Sequence, residues 1–222
     1  MTFAASITRI RKILNSYSAV NWTDAEILEY LNDGYTDFAV RTEYFRKETD
    51  VTLTASSATQ SLPTDAINIF RGEWDGEEVY QYTTDQMDEA YGSGWRTATA
   101  NNSGDDVQAI MQDMEDNGKF RIYPILGSTA IGSTKLKLTH SYLPAEITST
   151  ASSASIPAIY HEALCDYAIS KCLETNVQSD QRIQLADRYY NRYMDAVTRC
   201  RRDMAKSRLT KSSTRLRIRN FV

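Results

Sequence analysis

The chain has 222 residues, 41% hydrophobic and 10% aromatic, with 9 Gly, 4 Pro and 3 Cys, which suits one core carrying an insertion and is too aromatic for a disordered chain. Three cysteines argue against a disulfide framework and for reduced thiols. No stretch approaches the ~18 apolar residues of a membrane span, and the N-terminus lacks a signal-peptide succession, so the product is expected to stay where it is made. The net charge of -4 conceals a division: residues 199–222 hold nine of the 25 Lys and Arg and one of the 29 Asp and Glu, a net of +8, against -12 for residues 1–198. A basic terminus of this kind marks an interaction tail for nucleic acid, an anionic membrane or an acidic protein surface.

Ile7, Ile10, Leu14 and Tyr17 fall at helical spacing, and Thr2 to Ser16 reads as a packed helix rather than a targeting presequence. Asn21-Trp22-Thr23-Asp24-Ala25-Glu26 then starts a second helix, with Thr23 as its cap and Glu26 reaching back to complete a capping box. Ile27, Leu28, Leu31, Tyr35 and Phe38 make one apolar stripe, which predicts a helix to about Thr42 and an antiparallel helix pair.

From Asp50 to Thr150 the period changes from helical to alternating. Val51-Thr52-Leu53-Thr54 alternates, Asn68 to Trp74 and Glu77 to Tyr82 flank Asp75-Gly76, and Val107 to Met111 and Lys119 to Ile125 flank Asn117-Gly118. These are two hairpin signals. Lys135 to Tyr142 alternates again before Pro144, so six or seven short strands are expected in a small antiparallel sheet or partly closed barrel. Thr84 to Tyr91 reads as a short helix. Gly92 to Asp106, rich in Gly, Ser, Asn and Thr, reads as a loop with almost no core-forming residues, flexible or ordered by a partner.

Helical spacing returns after Ser155. Pro157 suits a first helical turn, with Ile159, Ala163, Leu164, Tyr167, Ala168 and Leu173 on the core side. Ser179 or Asp180 begins a fourth helix, with Ile183, Ala186, Tyr190, Tyr193, Met194 and Val197 along it, expected to end near Ala205. The fold class is α+β: a helical bundle from residues 1–48 and 157–205, a β-rich insertion over 49–156 and a basic extended tail over 206–222.

Motifs for catalysis, metals or cofactors are lacking. His161-Glu162-Ala163-Leu164-Cys165 opens like a zinc-protease helix, but Cys stands where the second His belongs. Cys165 and Cys172 share a helix face and read as small hydrophobes. Gly92-Ser93-Gly94-Trp95 lacks the Lys-Ser/Thr of a phosphate loop, and Asp105-Asp106 and Glu77-Glu78 read as solvated turn charges. No catalytic residue, metal ligand or cofactor is assigned.

The C-terminus carries the clearest functional pattern. Arg215, Arg217 and Arg219 alternate with Leu216 and Ile218, and Phe221 and Val222 follow. Period two puts arginines on one face of an extended strand and apolar side chains on the other, a form that adds to a sheet edge or lies in a groove. A basic tail on nucleic acid is the competing reading, since Lys and Arg contact phosphates without sequence preference.

The Trp22 to Gly34 opening, the Pro157 to Ala168 helix and the Tyr-rich fourth helix together resemble the head-to-tail adaptor, or connector, proteins of tailed bacteriophages. The resemblance implies a structural virion protein that forms a ring, commonly of twelve copies, beneath the portal of the filled head. It implies that the portal is gripped by Arg215, Leu216, Arg217, Ile218, Arg219, Phe221 and Val222, that the β part faces a tail nozzle or other tail protein, and that genome DNA passes through without specific binding. Assembly is expected in the host cytoplasm, with no membrane partner. Two other classes remain: a nucleic-acid-binding accessory protein that uses the basic tail, and an enzyme with a site in the insertion.

Overall fold

The computed structural model of the chain describes residues 1–15, 21–100, 106–112, 118–175 and 180–213, except the side chains of 207–213. The fold is α+β, with six α-helices and nine strands among these residues. The chain forms two compact units, one made of Met1–Tyr44 and the chain from Pro144 onward, the other of Phe45–Leu143.

The first unit is helical. α1 (Phe3–Ile13) is capped by Thr2 and buries Phe3, Ile7 and Ile10. It ends before Leu14, shorter than the spacing through Tyr17 suggested, and Tyr17 lies outside the described residues. α2 (Asp24–Thr42) buries Ile27, Leu31, Tyr35 and Phe38, while Leu28 is only half-buried. Residues 158–160 form a 3-10 turn, followed by α5 (His161–Thr175) and α6 (Asp180–Ser213). Ile159, expected on the core side, is 67% exposed, and Ile183 of the fourth helix is 44% exposed.

Residues 144–156, expected in the β insertion, pack with the helices for a specific reason. The Asn32 side chain donates to Ile147 O and accepts from Ile147 N, both at 3.0 Å. Phe3 N and Ala4 N donate to Ser152 O and Thr150 O, and Ser155 N donates to the Tyr35 hydroxyl. These bonds tie a strandless segment, most of it exposed, to α1 and α2.

In the second unit, β1 (Arg46–Val51), β2 (Thr59–Ser61), β3 (Ala66–Trp74), β4 (Glu77–Gln81), β6 (Ala109–Gln112), β7 (Lys119–Tyr123) and β9 (Leu136–Tyr142) form a seven-stranded sheet in the order β1-β9-β3-β4-β6-β7-β2. It is antiparallel except for the β4/β6 pair. β5 (Thr99–Ala100) and β8 (Ile125–Leu126) make a separate parallel pair. Asp75 and Gly76, both at positive φ, turn β3 into β4, as a tight hairpin requires. Leu53, Ile69, Trp74, Ile110, Phe120 and Leu138 are among the buried side chains of its core.

Two local expectations are corrected here. The first strand is Arg46–Val51, and Leu53 is a buried loop residue rather than part of a 51–54 strand. β6 and β7 do pair antiparallel, from Ala109↔Tyr123 to Gln112↔Phe120, and Asn117 of the expected turn lies outside the described residues. The 92–106 stretch is not without core residues: a 3-10 turn, Ser93–Arg96, buries Trp95 against Met87, Ala109 and Met111, and Trp95 Nε1 donates to Asp88 Oδ1 at 2.7 Å. Asp88 belongs to α3 (Thr84–Tyr91), which Thr83 and Gln86 cap reciprocally.

Candidate functional site

The candidate site is the seat of α6, the helix that leads into the basic terminus. α6 continues to Ser213, eight residues past the expected end, so residues 206–213 are helical rather than extended. No Gly or Pro occurs after Pro157, and without a breaker the Ser and Thr residues do not stop a helix of this length. Arg215, Leu216, Arg217, Ile218, Arg219, Phe221 and Val222 lie outside the described residues.

Part-buried polar bonds seat α6 against α2 and the turn before α5. Tyr193, with no exposed surface, donates its hydroxyl to Asp37 Oδ2 at 2.7 Å. Arg41, one turn further along α2, donates to the same oxygen at 2.7 Å. The Asp37 carboxylate thus collects a phenol and a guanidinium, and burial, together with the hydrogen bond to Asp37 and its charge, pushes the Tyr193 phenol far above its ordinary range. Farther along, Tyr160 donates to Asp203 Oδ2 at 2.9 Å and its ring packs on Phe38 with centroids 5.6 Å apart. Two directional bonds from different residues fix both the rotation and the translation of α6.

The start of α2 is equally well determined. Glu26 N donates to Thr23 Oγ1 at 3.2 Å and Thr23 N donates to Glu26 Oε2 at 2.6 Å, satisfying two of the orphan amides of the helix terminus. The bonds from Thr23 hold the Glu26 carboxyl below its usual range.

The residues that suggested chemistry have structural partners. The His161 ring meets the N-terminal amine of Met1 at 2.7 Å and Ile156 O at 2.9 Å. His140 is fully buried between Thr49 Oγ1 and Ser141 O. Cys165, Cys172 and Cys200 are buried free thiols whose pKa values burial raises, that of Cys172 to about 12. A thiol kept protonated in this way is a poor nucleophile. The described residues contain no group of three or more His, Cys, Asp or Glu placed to hold a metal ion, and no helix long and apolar enough to cross a membrane.

A family model described as SU10 adaptor protein matches residues 1–219, nearly the whole chain. The chain belongs to the SU10 adaptor protein family. No curated protein matches its sequence. Membership makes it a structural bacteriophage adaptor, a component of the virion that associates with other virion proteins. The helical seat of the C-terminus and the β unit both fall within the matched residues.

The adaptor carries a further charged cluster where α5 faces α6. Arg192 lies 3.3 Å from Asp166 and 3.4 Å from Glu162, and Glu162 also pairs with Arg9 of α1. Arg192, Asp166 and Glu162 line a shallow cleft of about 230 Å³ with Ile159 and Arg199. The Asp166 side chain is only 8% exposed; burial raises its pKa from 3.8 to about 6, against the opposing pull of Arg192. The sequence reading passed over all of these residues: the i,i+4 spacing of Asp37 and Arg41 was a signal that could have found that pair, whereas Asp166 and Asp203 needed the tertiary contacts to acquire meaning.

A pH dependence follows for the adaptor. The folded state holds the Asp166 proton more tightly than the unfolded chain, so between pH 3.8 and about 6 this group's contribution to stability falls as pH rises. Above that window it remains a constant penalty. Asp166→Asn is therefore expected to stabilise the adaptor at pH 7.5 by about 1–2 kcal/mol, allowing for solvent access to the ion pair. The gain should vanish near pH 4. Urea unfolding at both pH values tests this; a destabilised variant at pH 7.5 would contradict it.

Proposed function

We propose that this adaptor assembles as a twelve-membered ring at the head-to-tail junction, joins the portal to the tail and continues the DNA channel. In this reading the N- and C-terminal helices form the bundle of each subunit, and the inserted β unit faces the next tail component. Arg215, Leu216, Arg217, Ile218, Arg219, Phe221 and Val222 dock on the portal. The observation that carries the reading is a family match running through residue 219, which takes in Arg215 to Arg219 of this basic, alternating segment that follows α6 in the chain.

The physical logic is avidity. A single short segment loses chain entropy when it docks, but many copies on one ring raise the effective concentration, so weak individual contacts suffice. The fixed seat of α6 narrows the directions from which each segment starts. The net charge of -12 over residues 1–198 also suits a conduit that must release DNA, since an acidic lining does not retain a polyanion.

The test is light scattering coupled to size exclusion, with the adaptor alone and mixed with portal rings. The wild-type chain is expected to join portal rings in one defined multiple. Deletion of 214–222 should leave the circular dichroism spectrum intact and abolish attachment; loss of the helical spectrum, or retained attachment, would refute the docking assignment. Serine at Leu216, Ile218 and Phe221 separates this reading from nucleic-acid binding, because phosphate contacts depend on the arginines. A triple variant that still attaches to portals, while wild type binds any DNA with steep salt dependence, would favour the accessory-protein reading.

A further inference from the structure

The β unit carries a tyrosine-lined cleft of about 300 Å³. Glu78, Tyr80 and Tyr82 stand two residues apart along β4 and its continuation, so they share one face, while Val79 between them is buried in the core on the other. Ala109, paired with Tyr80 across β4 and β6, and Tyr91, the last residue of α3, also line the cleft. Tyr80 and Tyr91 are 68% and 50% exposed, and the Tyr80 and Tyr82 ring centroids stand 6.2 Å apart. Large aromatic rings grouped and exposed in this way mark an interaction surface.

Charge decides what the cleft takes. Residues 73–116, which supply all of its lining, hold twelve of the 29 Asp and Glu and one of the 25 Lys and Arg, a net of -11. That one cation, Arg96, shows how this part of the fold holds a guanidinium: it donates to both carboxylate oxygens of Asp88 and lies over the Trp95 ring, 4.7 Å from its centroid. The cleft offers the same two groups, tyrosine rings beside the Glu78 carboxylate, which stays 61% exposed although Arg71 approaches it to 3.5 Å. Ring faces and a negative field both favour a guanidinium there.

We propose that this cleft binds the arginines of residues 215–221 of a second copy of this chain. The charges are complementary, +8 over residues 199–222 against -11 over residues 73–116. In extended form Arg215, Arg217, Arg219 and Phe221 fall on one face of the segment at steps of ~7 Å. That step is close to the 6.2 Å between the Tyr80 and Tyr82 rings, so successive arginines meet successive rings. Phe221, in phase with the arginines, adds a ring to the tyrosine cluster. Leu216 and Ile218 fall on the opposite face and take no part. The contact does not depend on the ring reading. Portal and cleft draw on the same segment, so the contact belongs to copies that are not attached to a portal.

Sedimentation velocity of the full chain over a concentration series tests the proposal. Wild type is expected to self-associate reversibly, more weakly at high salt. Tyr80→Ala with Tyr91→Ala removes the cleft, and Arg217→Ser with Arg219→Ser removes the segment; each pair should weaken association by about tenfold. Both tyrosines are exposed enough to be truncated without opening a core. An equimolar mixture of the two variants keeps one intact contact, the segment of the tyrosine variant in the cleft of the arginine variant, and should recover association that neither shows alone. Leu216→Ser with Ile218→Ser should leave association unchanged.

A wild-type chain that stays monomeric, association insensitive to the tyrosine or the arginine pair, a mixture that recovers nothing, or a loss in the Leu216/Ile218 variant equal to that in the arginine variant would overturn the proposal. Portal attachment is scored separately: the tyrosine variant should retain it, whereas the arginine variant should lose it. Recovery in the mixture without any portal attachment by wild type would overturn the docking assignment and leave the cleft assignment standing.

Discussion

Tyr193→Ala is expected to destabilise the helical unit by about 4 kcal/mol, within the range for truncating a fully buried aromatic. Two losses combine. The ring leaves a cavity at a position with no exposed surface, where it packs edge-on against Tyr167 with centroids 5.0 Å apart and lies 6.0 Å from Tyr190. The hydroxyl that donates to Asp37 disappears. That bond is one of the two that fix α6, so the variant is expected to loosen the base of the C-terminal segment as well. Tyr193→Phe isolates the hydroxyl: Asp37 keeps Arg41 as a donor, so the cost should be about 1 kcal/mol. Urea unfolding followed by circular dichroism compares the two variants. Equal effects would mean that the bond to Asp37, rather than ring packing, dominates.

Gly34→Val is the second large effect, expected to cost about 3 kcal/mol or more. Glycine in a helix interior is normally a weakness, and replacing it with alanine gains up to about 1 kcal/mol. Here a Cβ would stand 2.8 Å from Cδ1, 3.0 Å from Cγ and 3.2 Å from Cβ of Tyr167. Those atoms lie close to the α5 backbone and the ring is held by Tyr193, so they cannot swing away; α2 and α5 must separate instead. Overpacking of this kind costs about 1–3 kcal/mol for small groups, so Gly34→Ala should also destabilise, though less than valine, the helix gain offsetting part of the clash. Tyr167→Ala added to Gly34→Val should recover part of the loss. A Gly34→Ala chain more stable than wild type would show that α2 and α5 have room to spare.

Much of the local structure was legible because its causes are local. Thr23 and Glu26 sit three residues apart and cap α2 whatever the rest of the chain does. Thr83 and Gln86 repeat the device at α3, and Asp75-Gly76 supplies the positive φ values that a tight hairpin needs. The family was legible from the Trp22 to Gly34 opening and the Pro157 helix, and the match over residues 1–219 places the chain in it.

What escaped the sequence depended on partners distant in the chain. Arg46–Val51 has charges at four of its six positions and no clean alternation, as suits an edge strand, so its pairing with β9 was invisible. Trp95 stands among Gly, Ser and Thr residues that suggest a loop, yet Asp88 and the Met87/Met111 pocket bury it. The parallel β4/β6 pair joins strands separated in the chain by α3, a 3-10 turn and β5, which no hairpin signal announces.

By itself the sequence determined the capped helices, the β3/β4 hairpin, the uneven charge and the alternating basic terminus, because spacing, propensity and composition act within a few residues. Only the tertiary structure decided that Asp37 would collect Tyr193 and Arg41, that Gly34 would make room for Tyr167, and that β1 would be an edge. Those outcomes depend on which surfaces meet when the helices and strands pack, and that choice is made by burial and hydrogen-bond satisfaction over the whole chain.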